Sequence, residues 1–151
     1  MAAEETTALQ RAVGFLSRRE HSRHELRWKL SERDYAEEEI EAALERLIQK
    51  GLQSDERFAE AYITSRVQRG HGPYKITAEL KQRGVEEGLI SQLMIGETPD
   101  WFEHALNVYK KKYAGKPVAD FKDRAKRSRF LQQRGFSSEQ IQYALETSQG
   151  N

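Results

Sequence analysis

Apolar positions recur along the chain at spacings of three and four, and no segment keeps the alternating period of two that a half-buried strand requires. Ile40, Leu44, Leu47 and Ile48 form one such stripe, the pattern of a helix with a single core-facing side. Start and stop signals divide the chain further. Thr7-x-x-Gln10 and Ser22-x-x-Glu25 read as capping boxes, each hydroxyl accepting from a first-turn N–H, and open helices to about Glu20 and Glu32. A third helix follows Tyr35 and ends at Lys50-Gly51, where glycine takes the left-handed geometry of a helix end. Ser54 or Asp55 caps a fourth, with Phe58, Ala61 and Tyr62 inward, closing at Gly70. Pro73 suits the first turn of a fifth, which carries Ile76 and Leu80 and stops at Gly84. A sixth runs from about Glu86 to Ile95 despite Gly88. Thr98-Pro99-Asp100 starts a seventh through about Tyr113, and Asp120 or Phe121 begins an eighth that stops at Gly135. Ser137-x-x-Gln140 caps a ninth, with Ile141, Ala144 and Leu145 inward.

These pieces repeat. An offset of 50 places Leu26 on Ile76, Leu30 on Leu80, Arg33 on Arg83, Tyr35 on Val85, Ile40 on Ile90 and Leu44 on Met94. A further 51 reaches Leu131, Arg134, Phe136, Ile141 and Leu145, while Ile76 meets the polar Arg127. Each unit therefore has a leading helix, a second helix ending in Arg-x-apolar, and a third helix. The leading helices also align, Phe58-x-x-Ala61-Tyr62 on Phe102-x-x-Ala105-Leu106. The predicted fold is all-α: three tandem three-helix, helix-turn-helix-like modules over residues 1–51, 52–97 and 98–151. Neighbours in such an array touch mainly in sequence, which predicts an elongated, curved arrangement.

Composition sharpens this picture. In 151 residues, 37% are hydrophobic and 32% charged, which favours several small cores over one deep one. The net charge is only +1, but it is unevenly distributed. Tyr35 to Glu60 carries eight acids against three bases, and Trp101 to Gly135 ten bases against three acids, local balances of −5 and +7. Cysteine is absent, which excludes disulfides, cysteine-ligated zinc and thiol nucleophiles, and His21, His24, His71 and His104 are too scattered for a metal site. The opening Met1-Ala2-Ala3-Glu4-Glu5 has no basic leader and no stretch approaches a membrane span, so a cytoplasmic protein without membrane contact is expected.

No nucleophile sits beside a base and no pair of carboxylates has a reason to split its titration, so no enzyme and no cofactor are expected. The richest chemistry is basic. Lys110, Lys111, Lys112, Lys116, Lys122, Arg124, Lys126, Arg127, Arg129 and Arg134 crowd the C-terminal third, and Lys122, Lys126 and Arg129 fall on one side of a helix. The expected partner-binding set is Lys110, Lys111, Lys122, Lys126, Arg127, Arg129 and Arg134, with Arg66, Arg69 and Lys75 from the second module. Such a ridge suits phosphates or an acidic protein surface; a plain solvated face is the alternative. Arg33, Arg83 and Arg134 close equivalent helices, where a cation complements the macrodipole. Gly70-His71-Gly72-Pro73 lacks the Lys-Ser/Thr of a phosphate loop and reads as a turn between modules. Trp28 lies on the face opposite Leu26 and Leu30 and is a candidate exposed anchor, whereas Trp101 reads as packing. Tyr62, Tyr74, Tyr109, Tyr113 and Tyr143 are interleaved with bases, a pattern that can stack on single strands but at helical spacing is expected to be mostly half-buried core.

Ser22-x-x-Glu25-Leu26-x-x-Lys29-Leu30, Gly51-Leu52-x-x-Asp55-x-Arg57-Phe58-Ala59 and Gly70-x-Gly72-Pro73-x-x-Ile76-x-x-Glu79-Leu80-x-x-x-Gly84-Val85 together resemble the RecX family. Asp100-Trp101 and Arg129-Phe130-Leu131-x-x-Arg134-Gly135-Phe136 continue the resemblance, which runs from about Ala8 to Leu145 with the motifs in order. The resemblance implies a regulator that binds the recombinase RecA and the RecA–DNA filament, opposing filament growth, ATP hydrolysis and strand exchange; a monomer is the default expectation, with the oligomeric state left open by the sequence. Two other readings stand beside it: a free-standing helical nucleic-acid-binding module with direct DNA contact, and a helical-repeat adaptor for another protein.

Overall fold

The computed structural model describes residues 5–96 and 98–149. Residues 1–4, part of the opening on which the missing leader was argued, lie outside them. Nine helices run through the described residues: α1 (Ala8–Leu16), α2 (Arg23–Ser31), α3 (Glu37–Gln49), α4 (Asp55–Gln68), α5 (Pro73–Gln82), α6 (Glu87–Ile95), α7 (Trp101–Tyr113), α8 (Phe121–Gln133) and α9 (Ser138–Gln149). No strand occurs among the described residues. The chain is all-α, as its periodicity predicts.

The caps explain the boundaries. Thr7 and Ser22 each accept from the backbone N–H three residues on while Gln10 and Glu25 return the bond, so both capping boxes close. Ser137 and Gln140 exchange the same pair of bonds before α9. At α4 the cap is Ser54, whose Oγ accepts from Arg57 N at 3.1 Å. Asp55 instead accepts from Arg23 N at 2.8 Å, serving a donor at the start of α2. Helix α1 ends at Leu16, short of Glu20, and Ser17 at its end donates to the Gly14 carbonyl.

By backbone proximity the chain forms two compact units, Met1–Tyr62 with Leu80–Leu89, and Ile63–Glu79 with Ile90–Asn151. In the first, α1, α2 and α3 enclose Ala8, Ala12, Leu26, Leu30, Ile40, Ala43, Leu44 and Leu47. In the second, α7, α8 and α9 enclose Ala105, Tyr109, Leu131, Phe136, Ile141, Ala144 and Leu145. The repeat register holds at its central positions: Leu30, Leu80 and Leu131 are buried, as are Ile40, Ile90 and Ile141. The leading helices depart from their predicted alignment. Phe58 is buried while Phe102 is 42% exposed, and Ala61 is exposed where Ala105 is fully buried. The inward face of α4 is Phe58, Ala59 and Ile63, and on α3 Ala43 takes the place expected for Ile48, which is exposed.

Within each unit a second-helix N-terminus meets an Arg-Gly turn. In the first unit Ser22 Oγ donates to the Arg83 carbonyl at 2.7 Å. In the second, Gly72 N donates to the Arg134 carbonyl at 2.6 Å and Tyr74 N to that of Gly135 at 2.9 Å. Ser22 and Gly72 are repeat equivalents, so a hydroxyl and a backbone amide make the same joint. Gly84 and Gly135 have φ of +78° and +99°, and a Cβ on either would lie 2.4 Å from the Cβ of His24 or Lys75. Glycine is required twice over, for the left-handed backbone and for the closeness of the approach. The Gly70–Pro73 turn is thus half of a joint.

Candidate functional site

The ten predicted partner-binding residues separate into distinct places. Arg69, Lys111 and Arg134 line one groove of about 480 Å³ in the second unit, with Lys112 beside them and Val67, Val108 and Phe130 supplying apolar wall. Among the described residues no acidic side chain lines it. Arg134 caps the C-terminus of α8, lies 5.1 Å over the Phe130 ring and donates from Nη1 to the Arg69 carbonyl at 2.8 Å. Lys112 approaches the same ring at 5.4 Å. The groove therefore holds fixed cations against an aromatic surface, an arrangement suited to a ligand with both anionic and apolar parts.

Lys122, Lys126 and Arg129 are exposed along α8. Lys122, Lys126, Phe130 and Arg134 stand four residues apart, one row of the helix surface, so the ridge leads into the groove. Among the described residues none of Lys110, Lys111, Lys112, Lys122, Lys126 or Arg129 is in an ion pair. The nearby acids are engaged elsewhere. Asp120 caps α8, accepting from Asp123 N at 2.8 Å. Asp123 is held below the usual carboxylate range by the Ala119 backbone N–H first and by Arg127 after it.

Arg127 is the correction. It is only 4% exposed and faces inward. Its Nη1 donates to Tyr109 Oη and to the Lys116 carbonyl, both at 2.8 Å, and Nη2 to the Pro117 carbonyl at 3.2 Å. Asp123 lies 3.1 Å away and the Tyr113 ring 4.4 Å beneath the guanidinium. Burial opposes its charge, but the bonds to Tyr109 and Asp123 outweigh that and hold its titration above the ordinary value. Both terminal nitrogens are engaged inside the fold, and Nε is buried without a hydrogen-bond partner, so the guanidinium is not presented at the surface. Of the remaining residues, Lys110 is exposed in the last turn of α7, Arg66 is half-buried on α4, and the Lys75 stem packs in the joint against Gly135.

Sequence reasoning missed two things. The wall residues Val67 and Val108 lie on α4 and α7, the leading helices whose register it misaligned. It also missed that each closing arginine rides on a ring: Arg33 over Phe15 at 4.9 Å, Arg83 over Tyr62 at 4.7 Å, and Arg134 over Phe130. The ring comes from the leading helix in the first two and from the second helix in the third, so no single offset reveals it.

Three family models match in chain order: the first three-helix domain of RecX over residues 8–47, the second over 54–94 and the third over 99–145. The chain belongs to the RecX family. The regulatory protein RecX of Chromohalobacter salexigens is 42% identical over 145 residues, 96% of this chain and 95% of that protein. RecX of Vibrio vulnificus is 42% identical over 134 residues, 89% of this chain and 88% of its own. The crystal structure of RecX from Lactobacillus salivarius superimposes with a TM-score of 0.78 at 21% identity, covering 95% of this chain and 96% of that one. A RecX fold of three three-helix domains thus carries the groove and ridge. RecX is a regulatory family, and among the described residues no helix is long and apolar enough to cross a membrane.

Proposed function

We propose that this RecX chain binds RecA and the RecA–DNA filament and restrains filament growth, ATP hydrolysis and strand exchange by occupancy, without making or breaking bonds. The family supports the regulatory role, and the observation that carries the binding site is the unpaired cation set of the second unit. Arg69, Lys111, Lys112 and Arg134 around Phe130 suit an anionic partner with an apolar anchor. Lys122, Lys126 and Arg129 extend that surface. Buried Arg127 takes no part. RecA protomers and the DNA they hold both offer anions, so the ridge serves either acceptor.

The test is RecA's single-strand-dependent ATP hydrolysis with substoichiometric chain added. Hydrolysis is expected to fall, and the Lys122→Glu, Lys126→Glu, Arg129→Glu triple variant to inhibit less while keeping its helicity. Full inhibition by the folded triple variant returns the ridge to a solvated face. Hydrolysis unchanged at about a tenfold excess of the protein over RecA removes the proposal. The second reading, a free-standing nucleic-acid-binding module, is favoured by the ridge's exposure. It predicts tight binding to bare duplex at physiological salt that RecA does not change.

A further inference from the structure

The first unit carries a second basic groove that the regulatory reading does not use. It encloses about 450 Å³ between α1 and α2 and is lined by Phe15, Arg18, Arg19, Trp28, Lys29 and Arg33, with His21 at its side. Trp28 is 61% exposed, the position of an indole with no core to fill. Around it the cations are fixed in place. Lys29 and Arg33 both lie 4.9 Å over the Phe15 ring, and Arg33 Nη1 donates to the Lys29 carbonyl at 3.3 Å. Lys29 Nζ is 2.9 Å from His21 Nε2, and His21 Nδ1 is 3.1 Å from the Arg19 carbonyl. That pairing requires the imidazole to be neutral, with its proton on Nδ1 and Nε2 accepting from the lysine.

One acid enters the neighbourhood. Glu25 pairs with Arg19 at 3.1 Å and so cancels one charge. Arg18, Lys29 and Arg33 remain without an ion pair among the described residues. Burial first, then the cation of Arg19, depresses the Lys29 ammonium; Glu25 opposes this, and Arg33 and Arg18 add to it. The groove therefore lacks an anion.

We propose that the α1–α2 groove binds single-stranded nucleic acid, a base stacking on Trp28 while Arg18, Lys29 and Arg33 hold the flanking phosphates. The exposed indole decides between polyanions. An acidic peptide satisfies the cations but need not carry an aromatic face for the ring, whereas every nucleotide does, and stacking platforms in basic grooves are how single strands are held without sequence preference. This site is separate from the groove and ridge of the second unit and needs no RecA.

The chain has two tryptophans, Trp28 and Trp101, so Trp101→Phe leaves Trp28 as the one indole. Its emission is followed, without RecA, on adding oligothymidylate, an abasic strand of equal length, or polyglutamate. Oligothymidylate is expected to quench it, with Arg18→Glu, Arg33→Glu weakening the titration about fivefold or more, while the other two polymers leave the emission unchanged. Should Trp101→Phe fail to fold, ultraviolet crosslinking of a 5-iodouridine strand to the wild-type chain reads the same contact, with the adduct expected on Trp28. Emission indifferent to oligothymidylate, equal quenching by polyglutamate or the abasic strand, or adducts confined to other residues overturns the proposal. RecA inhibition plays no part in any of these readouts, so loss of this site leaves the regulatory reading standing, and the reverse.

Discussion

The first and third bundles place different chemistry at the same repeat position. Leu26 in the first is fully buried among Ala8, Ala12, Leu30, Ile40, Leu44 and Leu47. Arg127 in the third is almost as buried, yet donates to Tyr109, Lys116 and Pro117 and pairs with Asp123. The repeat therefore specifies where a side chain goes, not its polarity. What makes the arginine tolerable is local: the Gly115–Val118 loop after α7 brings two carbonyls to the site, and Asp123 stands one turn back on α8. A buried charge is sustained only where its partners converge. Arg127 thereby ties that loop to the bundle.

Exchanging the two residues is the strongest way to break the comparison. Leu26→Arg puts a guanidinium among the apolar side chains of the first core and should cost about 4 kcal/mol or more, visible as lost cooperative unfolding in urea. The reverse change is milder. Arg127→Leu keeps the volume filled but leaves Tyr109 Oη and two carbonyls without their donor, a loss of about 1–3 kcal/mol. Arg127→Ala adds a void and should exceed the leucine variant. If Leu26→Arg unfolds at the same denaturant concentration as wild type, the burial assigned to the first bundle is wrong. If Arg127→Leu is neutral, the loop does not depend on the arginine.

What the sequence made legible follows from this contrast. Leu30, Leu80 and Leu131, or Ile40, Ile90 and Ile141, are found by one offset because apolar residues have one place to be. Capping boxes at Thr7 and Ser22 are legible because both bonds lie within four residues. Arg127 was misread as surface because its acceptors, Lys116 and Pro117, lie in an irregular loop with no periodicity. The leading helices were misaligned for a related reason: Phe58 and Phe102 match in type, but one packs inward and the other lies outward against Tyr143 with ring centroids 5.6 Å apart. The cation ridge could be read as a helical row, whereas the groove's Val67 and Val108 wall depends on tertiary placement.

The turns between second and third helices give a smaller but cleaner test. Gly84 and Gly135 each receive a helix N-terminus, and the equivalent residue of the first module is Asp34, exposed and with φ of +62°. Aspartate tolerates that backbone at modest strain, and nothing packs there to forbid a Cβ. Gly84→Ala and Gly135→Ala should each cost about 2–3 kcal/mol, from left-handed strain plus displacement of His24 or Lys75. Asp34→Gly should change stability by about 0.5 kcal/mol or less, since relief of strain is offset by a more flexible unfolded chain. Equal destabilisation by all three would mean that the turn geometry, rather than the joint, sets the requirement for glycine.

The histidines extend the comparison to acid. Burial, the leading cause in each case, lowers the titration of His21 in the first unit and of His71 and His104 in the second from the ordinary 6.5. His21 is further opposed by Arg19 and Lys29, and His71 by Lys75. A histidine depressed in the folded state is neutral there while its unfolded counterpart takes up a proton near 6.5, so the unfolded chain binds more protons in that window. Stability should therefore be full above the unfolded value and fall as the pH drops through it toward the folded values. Between about pH 7.5 and about pH 5.5 the unfolding midpoint should decline, before most carboxylates titrate. His21→Gln should flatten that decline less than His71→Gln and His104→Gln together, because two of the three groups lie in the second unit. A midpoint independent of pH across this window in the wild-type chain would show that these imidazoles are not held neutral by the fold.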